Sequence, residues 1–137
     1  MPNHPFHPIR PDHSRADFKA LRETLGVPQK WLAEQLDVSL KTMQRWEDEK
    51  NEKWYQPPEH AWQFLEKIQT HQHARINETL AHVHTTPPAN NTITLTYYRR
   101  SDKHSLDYPV EIMNATIRAT ALILTHHGYT VTFAYTN

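Results

Sequence analysis

A chain of 137 residues with 37% apolar residues is long enough for one domain or two small ones, each with a thin core. Its 15 basic and 15 acidic side chains cancel, which argues against loose, non-specific binding to nucleic acid. The chain contains no cysteine, which excludes disulfides and thiolate metal sites, and no apolar run approaches the ~20 residues of a membrane-spanning helix. Because the N-terminus also has no signal-peptide pattern, we expect a cytoplasmic protein.

The first residues predict a tail followed by a helix. Residues 1–13 are rich in proline and histidine and poor in apolar residues, which is typical of a flexible leader. Arg10 in this tail is a candidate for a minor-groove contact of the kind that some N-terminal arms make. The spacing of apolar residues then predicts a first helix, with Ser14 as its N-terminal cap and Gly26 as its end.

Residues 27–47 predict a helix, a tight turn and a second helix. Pro28 suits the first position of a helix, where its missing N–H is not needed. Ser39 can cap the second helix, and Met43 and Trp46 are three residues apart, so they fall on its inward face. A short helix, a sharp turn and a second helix with an apolar back and a polar front is the geometry that enters a major groove.

Several residues of this stretch follow a known pattern, which runs from a glutamine through Leu-Ala and Val-Ser to Arg-Trp-Glu. The matching positions are Gln29, Leu32, Ala33, Leu36, Val38, Ser39, Thr42, Met43, Arg45, Trp46 and Glu47. In these positions the chain resembles the helix-turn-helix of the Cro/CI/Xre repressor superfamily. Asp37 stands where that family usually has glycine, and aspartate tolerates a left-handed turn better than most residues. The resemblance implies a DNA-binding repressor with a compact helical domain.

The outward face of the predicted second helix holds the candidates for reading DNA bases. Arginine can bind guanine, and glutamine can bind adenine, through two hydrogen bonds, and an aliphatic side chain can touch the methyl group of thymine. The base-reading candidates are Ser39, Leu40, Lys41, Gln44 and Arg45. Contacts to the DNA backbone, which position a protein without specifying sequence, are expected beside them. The backbone-contact candidates are Gln29, Lys30, Thr42, Asn51 and Lys53.

These candidates have plainer alternative explanations. Gln29 matches the glutamine that contacts phosphate in the resembling family, whereas the lysines are equally well explained by solubility. The acidic residues that begin at Glu47 indicate that the end of the second helix tilts away from phosphate. Trp46 is expected in the core, as is Trp62, while Trp31 and Trp54 either pack on a fourth helix, meet a partner or stack on single-stranded nucleic acid.

A fourth helix and a linker are predicted next. Pro57 and Pro58 open a segment in which apolar residues recur as far as Val83, either as one long helix or as two helices with a break at residues 71–73. Residues 85–91 have the composition of a linker. We therefore expect residues 14–84 to form the helix-turn-helix DNA-binding domain.

Beyond the linker the pattern changes from helical to mixed. Residues 92–98 and 129–135 alternate β-branched and aromatic residues, which predicts two strands, and residues 109–127 predict a helix between them. A two-stranded sheet is marginally stable and its edges invite pairing, so we expect residues 91–137 to form a dimerisation domain. The expected fold class is α+β, with an N-terminal four- or five-helix bundle and a C-terminal small strand-helix-strand unit.

A second, more diffuse pattern lies in this C-terminal half. It consists of a Tyr-Arg pair at Tyr98 and Arg99, an Asp-Tyr pair at Asp107 and Tyr108, and Asn114 in the following helix. With the two-part layout, these positions make the chain similar to the YdiL-like family, which includes autorepressors associated with anti-CRISPR operons. The similarity implies a homodimer that represses its own operon on a phage or mobile element.

Catalytic and metal chemistry find no support in the sequence. Eleven histidines are present, but pairs such as His71 and His73 would point about 200° apart on a helix, and no carboxylate completes a ligand set. Two glycines cannot build a phosphate-binding loop, and no local arrangement identifies a nucleophile. We expect no metal, no cofactor and no enzymatic activity.

The expected function is sequence-specific transcriptional repression by a homodimer on an inverted-repeat operator in double-stranded DNA. An antitoxin-like module, whose C-terminal half binds a toxin, is one alternative. RNA binding is a second alternative, and its candidate residues are Arg99, Arg100, Lys103, Tyr97 and Tyr98.

Overall fold

The computed structural model describes residue 10, residues 12–48, residue 50 and residues 56–136, with only the backbone of residues 104 and 105. The expected α+β fold is confirmed: helices come first, and a small parallel sheet closes the chain. The elements are α1 (Arg15–Leu25), α2 (Gln29–Gln35), α3 (Leu40–Glu47), α4 (Glu59–Thr85), β1 (Thr92–Tyr97), α5 (Val110–His126) and β2 (Thr130–Tyr135). Among the helices of these ranges, none combines the length and the apolar character needed to cross a bilayer.

The predicted ends of α1 are confirmed. The hydroxyl of Ser14 accepts a hydrogen bond from the backbone N–H of Asp17 at 3.0 Å, and the Asp17 carboxylate accepts from the backbone N–H of Ser14 at 2.7 Å. This reciprocal pair satisfies two N–H groups that the helix itself leaves without partners. At the other end Gly26 has a φ of 78°, the left-handed conformation that glycine adopts without steric cost.

Contacts within the chain divide it into two units, Met1–Ile68 and Gln69–Asn137. The boundary lies inside α4, whereas the sequence placed it in the linker at residues 85–91. The difference arises because the later part of α4 packs within the second unit. There the side-chain amide of Gln72 donates to the carbonyl of Ile112 at 3.3 Å.

Helix α4 is continuous, so the alternative of two helices with a break at residues 71–73 is wrong.

The core of the first unit is aromatic at its centre. The rings of Phe18 and Trp62 meet edge to face at 5.1 Å, and Phe18 meets Trp46 in the same way at 6.3 Å. Trp46 and Trp62 are buried, as predicted. The ring centres of Trp31 and Phe64 are 5.9 Å apart, so Trp31 packs on α4. The remaining buried apolar residues of this unit are Leu25, Val27, Leu32, Ala33, Met43, Ala61, Leu65 and Ile68.

Arg10 is held against α4 instead of extending into solvent. Its guanidinium donates to the carboxylates of Glu59, at 2.9 and 2.5 Å, and of Glu66, at 2.7 and 3.0 Å. It also lies 5.2 Å from the centre of the Trp62 ring. Hydrogen bonds from Arg10 lower the pKa of both glutamates. Arg10 therefore has partners inside the protein that the minor-groove hypothesis did not foresee.

The second unit is a parallel two-stranded sheet crossed by α5. The strands pair in register from Thr92 opposite Thr130 to Tyr97 opposite Tyr135. Parallel neighbours need a crossover connection, and α5 supplies it. Gly128, with a φ of 95°, turns the chain from α5 towards β2, and its carbonyl accepts a hydrogen bond from the Asn91 side chain at 2.6 Å.

A buried asparagine joins α5 to the end of β1. The Oδ1 atom of Asn114 accepts from the backbone N–H of Tyr98 at 2.9 Å, and its Nδ2 donates to the carbonyl of Tyr98 at 3.0 Å. Asn114 therefore hydrogen-bonds both backbone groups of Tyr98, as a neighbouring strand would. Nearby, Arg99 donates to the carbonyl of Thr136 at 2.5 Å and lies 4.4 Å from the centre of the Tyr135 ring.

The face of the sheet that α5 covers is only partly protected. Tyr97 lies on this face, where its hydroxyl accepts a hydrogen bond from Arg118 of α5 at 2.6 Å. Two side chains of β2 lie on the same face of the sheet: Phe133, which is 50% exposed, and Tyr135, which is 57% exposed. Leu122, one turn after Arg118 on α5, is 73% exposed. Three large side chains of this small unit, two aromatic and one aliphatic, are thus open to solvent.

Candidate nucleic-acid interface

The turn between α2 and α3 has the predicted conformation. Asp37 has a φ of 55°, in the left-handed region where the resembling family places glycine. Just after it, the backbone N–H of Val38 donates to the carbonyl of Ala33 at 3.0 Å, so the chain reverses tightly against the end of α2. The short reversal sets the start of α3 immediately beyond α2.

Ser39 caps α3, as predicted. Its hydroxyl oxygen accepts from the backbone N–H of Thr42 at 3.1 Å and lies 3.0 Å from the Thr42 hydroxyl. Both side chains are therefore engaged at the first turn of the helix. Ser39 is exposed and Thr42 is half-buried. This arrangement leaves the N-terminal end of α3, the end that meets bases in helix-turn-helix proteins, capped and open to solvent.

The inward face of α3 fixes the helix to the first unit. Met43 is fully buried and Trp46 is 5% exposed. The guanidinium of Arg15, on α1, donates to the carbonyl of Arg45 near the end of α3. Burial lowers the pKa of Arg15, with Asp48 opposing that shift, yet an arginine remains charged throughout the physiological range. A cation at the C-terminal end of a helix also interacts favourably with the helix dipole.

A buried ion pair adds a second anchor, which the sequence did not predict. Glu47, at the end of α3, accepts hydrogen bonds from Nε of Arg22 at 2.6 Å and from Nη2 at 2.9 Å. The Arg22 and Glu47 side chains are 10% and 4% exposed. Arg22 also donates to the carbonyl of Val27 at 2.9 Å, so one guanidinium joins α1, the turn before α2 and the end of α3.

Glu47 thus has a structural role that its interpretation from the sequence did not include, while the tilt of the helix end away from phosphate stays a prediction. Its carboxylate also accepts from the side-chain amide of Gln29 at 2.9 Å. The one available signal was the position of Arg22 on the apolar stripe of α1, between Phe18 and Leu25. A charged residue on such a stripe predicts a buried partner of opposite charge.

The outward face of α3 carries the base-reading candidates together. Ser39, Lys41 and Gln44 are exposed, Leu40 is 41% exposed, and Arg45 is half-buried. Residues three and four apart are neighbours on a helix, so Lys41 lies beside both Gln44 and Arg45. The result is a row of hydrogen-bonding side chains, two of them cationic, with one exposed aliphatic residue at the N-terminal end.

The backbone-contact candidates are less uniform. Gln29 is half-buried and its amide is bonded to Glu47, while Lys30 is exposed at the start of α2. The Thr42 hydroxyl is hydrogen-bonded to the Ser39 hydroxyl. Asn51 and Lys53 lie outside the described residues, as does Trp54. Lys30 is the one cation of this set among the described residues, and it is exposed.

The cations proposed for RNA binding have a different setting. Arg99 is engaged with Thr136 and Tyr135, which ties the end of β1 to the end of β2. Arg100 and Lys103 are exposed in the 3₁₀ segment Arg100–Ser105.

The described residues contain no group of three or more histidine, aspartate or glutamate side chains placed to hold a metal ion.

No protein-family model, curated protein or solved structure matches this chain. The likeness to the Cro/CI/Xre repressors and to the YdiL-like family therefore remains a prediction, supported by the residues named above and by the local geometry of α2, the turn and α3.

Proposed function

We propose that the protein is a sequence-specific DNA-binding repressor that acts as a homodimer on an inverted-repeat operator. The observation that carries the proposal is the division of α3 into two faces. Met43 and Trp46 are buried behind it, while Lys41, Gln44 and Arg45 form a row on its outward side. A rigidly held helix with such a row is suited to read base edges in a major groove.

The anchoring of α3 supports the same function. Base readout requires that donors and acceptors be held in a fixed position, because each paired hydrogen bond to a base depends on geometry. Arg15 and the Arg22–Glu47 pair fix the C-terminal end of α3, and the Ser39 cap fixes its start. Three polar anchors on an eight-residue helix favour a recognition role over that of an ordinary surface helix.

Dimerisation is proposed through residues 91–137. In the described chain, β2 has β1 on one side and no strand on the other. Phe133 and Tyr135 of β2 are exposed, as is Leu122 of α5. A second copy that pairs along β2 and covers Phe133 and Tyr135 would extend the sheet to four strands. Two-fold symmetry would then present two α3 helices to two half-sites.

The experiment that tests the proposal is selection of duplexes from a random library by the full-length protein, followed by sequencing. Enrichment of an inverted repeat with half-sites about one helical turn apart, or a multiple of it, is the expected result. Enrichment of no sequence at low salt would overturn the proposal, because electrostatic contacts are strongest there. Competition with single-stranded and structured RNA separates this function from RNA binding.

A further inference from the structure

A cavity of about 170 Å³ opens in the second unit, between α4, the end of β1 and α5. From α4 it is lined by His71, Arg75 and Thr79, which follow one another at intervals of four residues and so share one side of the helix. The lining residues from β1 and α5 are Leu95, Thr96, Tyr98, Met113, Thr116, Ile117 and Thr120. The cavity therefore combines a polar wall on α4 with a mixed wall from β1 and α5, whose apolar part is Leu95, Met113 and Ile117.

The charge of this cavity has one sign. No aspartate or glutamate lines it, and Arg75 is its one full cation. Within the described residues, the Arg75 guanidinium makes no hydrogen bond and no ion pair. His71, whose ring lies 5.0 Å from that of Tyr108, adds a second nitrogen donor on the same wall. An anion is the species that this wall would attract.

The opposite wall offers hydrogen-bond acceptors. The Thr116 hydroxyl donates to the carbonyl of Ile112 at 3.1 Å, and the Thr120 hydroxyl donates to the carbonyl of Thr116 at 2.8 Å. Both protons are thus committed to α5, so these oxygens can accept a further hydrogen bond but not donate one. A ligand with an N–H or O–H group near α5 would satisfy them.

The volume limits the size of the ligand. An apolar cavity of about 150 Å³ accepts benzene, so this one has room for a single ring or a short branched chain. Leu95, Met113 and Ile117 supply the apolar contacts that such a group needs. Larger ligands would have to extend into solvent past Arg75.

We propose that this cavity binds a small carboxylic acid with a short apolar body and an amino or hydroxyl group. The carboxylate pairs with Arg75, beside His71. The apolar body lies on Leu95 and Ile117, and the amino or hydroxyl group donates to the threonine oxygens of α5. The inference concerns the second unit alone and does not depend on DNA binding.

Methyl NMR of the full-length protein tests the proposal with three probes: L-leucine, 4-methylpentanoate, which lacks the amino group, and L-leucinamide, which lacks the carboxylate. L-Leucine should produce saturable shifts at the methyl groups of Leu95, Met113 and Ile117. 4-Methylpentanoate should bind more weakly, and L-leucinamide should cause no saturable shift. Absence of saturable shifts with both carboxylates would overturn the proposal. Equal affinity of L-leucine and 4-methylpentanoate would overturn the role given to the donor group.

A pair of variants locates the site. Arg75→Gln should weaken L-leucine binding about tenfold, because a hydrogen bond to a charged group is lost, and Arg75→Lys should restore part of the affinity. Arg100→Gln removes an exposed cation of the same unit outside the cavity and should leave the affinity unchanged. Equal weakening by Arg75→Gln and Arg100→Gln would show a general charge effect and overturn the assigned site.

Discussion

Glu47, the last residue of α3, and Arg22, on α1, form a buried ion pair through two hydrogen bonds of 2.6 and 2.9 Å. Glu47→Gln should lower the free energy of unfolding by about 3 kcal/mol, because it leaves the Arg22 guanidinium buried without its counter-charge. Urea unfolding at neutral pH measures the loss. Glu34→Gln removes an exposed carboxylate of the same unit and should change the stability by less than about 0.5 kcal/mol. Equal stabilities for the two variants would contradict the structural role of the pair.

This pair illustrates which structural features could not be predicted from the sequence. The cap at Ser14, the glycine at Gly26 and the left-handed turn at Asp37 were predicted and are confirmed, since each depends on a few neighbouring residues. The contact between Arg22 and Glu47 joins residues far apart in the chain, and no local pattern specifies it. The same reason explains why the partners of Arg10 and the packing of the later part of α4 were missed.

For the candidate sites, too, local features could be predicted from the sequence and tertiary contacts could not. The outward position of Lys41 and Gln44 and the inward position of Met43 and Trp46 follow from helical spacing alone, and both are confirmed. The cavity beside Arg75 brings together three elements of the second unit. Spacing within one element carries no information about such a cavity.

Asn114 provides a second test of tertiary hydrogen bonding. Asn114→Ala should lower the free energy of unfolding by about 1–3 kcal/mol, because the half-buried N–H and C=O groups of Tyr98 both lose their partner. Glu111→Ala, at an exposed position of α5, is the control for helix propensity and should have little effect. Chemical denaturation of the full-length protein compares them. If both variants were equally stable, the two hydrogen bonds would contribute nothing measurable.

The Arg10 cluster predicts a pH dependence of stability. Hydrogen bonds from Arg10 lower the folded-state pKa of Glu59 and Glu66 below the usual value of 4.5. Their contribution is therefore fully present above pH 4.5 and is lost as the pH falls through the lowered folded-state values. Because both carboxylates are substantially exposed, the contribution should amount to about 1 kcal/mol or less.

Arg10→Gln isolates this effect. The variant should be less stable than the parent protein at neutral pH, and the difference should shrink as the pH is lowered below 4.5. Urea midpoints measured across this range provide the test. Lys19→Gln, which removes an exposed cation of α1, should give a difference that does not follow the same pH course. A constant difference between Arg10→Gln and the parent would contradict the assigned pairing.

If the exposed aromatic side chains of β2 form the proposed dimer contact, substitutions there should weaken the dimer. Phe133→Lys should shift the full-length protein towards monomer, because a charge placed in the proposed contact must be desolvated on association. Leu122→Lys should act in the same direction. Thr132→Lys adds the same charge to the neighbouring position of β2, on the opposite face of the sheet, and should leave the dimer intact. Sedimentation over a range of concentrations, with circular dichroism as a check on folding, distinguishes these outcomes.

The row on α3 predicts the residues that carry base specificity, and the chain supplies matched controls for Gln44 and Lys41. Gln44→Ala and Arg45→Ala should each weaken binding to the selected duplex by about 1–3 kcal/mol and relax the preference at one position of each half-site. Gln63→Ala, at an exposed position of α4, is the control for Gln44→Ala.

Lys41 distinguishes base contact from general attraction to phosphate. Lys41→Ala should weaken binding to the selected duplex more than binding to a scrambled duplex if Lys41 contacts a base, whereas a phosphate contact would weaken both equally and reduce the salt dependence. Lys19→Ala removes an equally exposed lysine from α1 and should affect neither duplex. Fluorescence anisotropy at several salt concentrations measures all five variants, including those of Gln44, Arg45 and Gln63. Undiminished binding by Gln44→Ala, Arg45→Ala and Lys41→Ala together would show that α3 does not enter the groove, and the repressor proposal would then lose the observation that carries it.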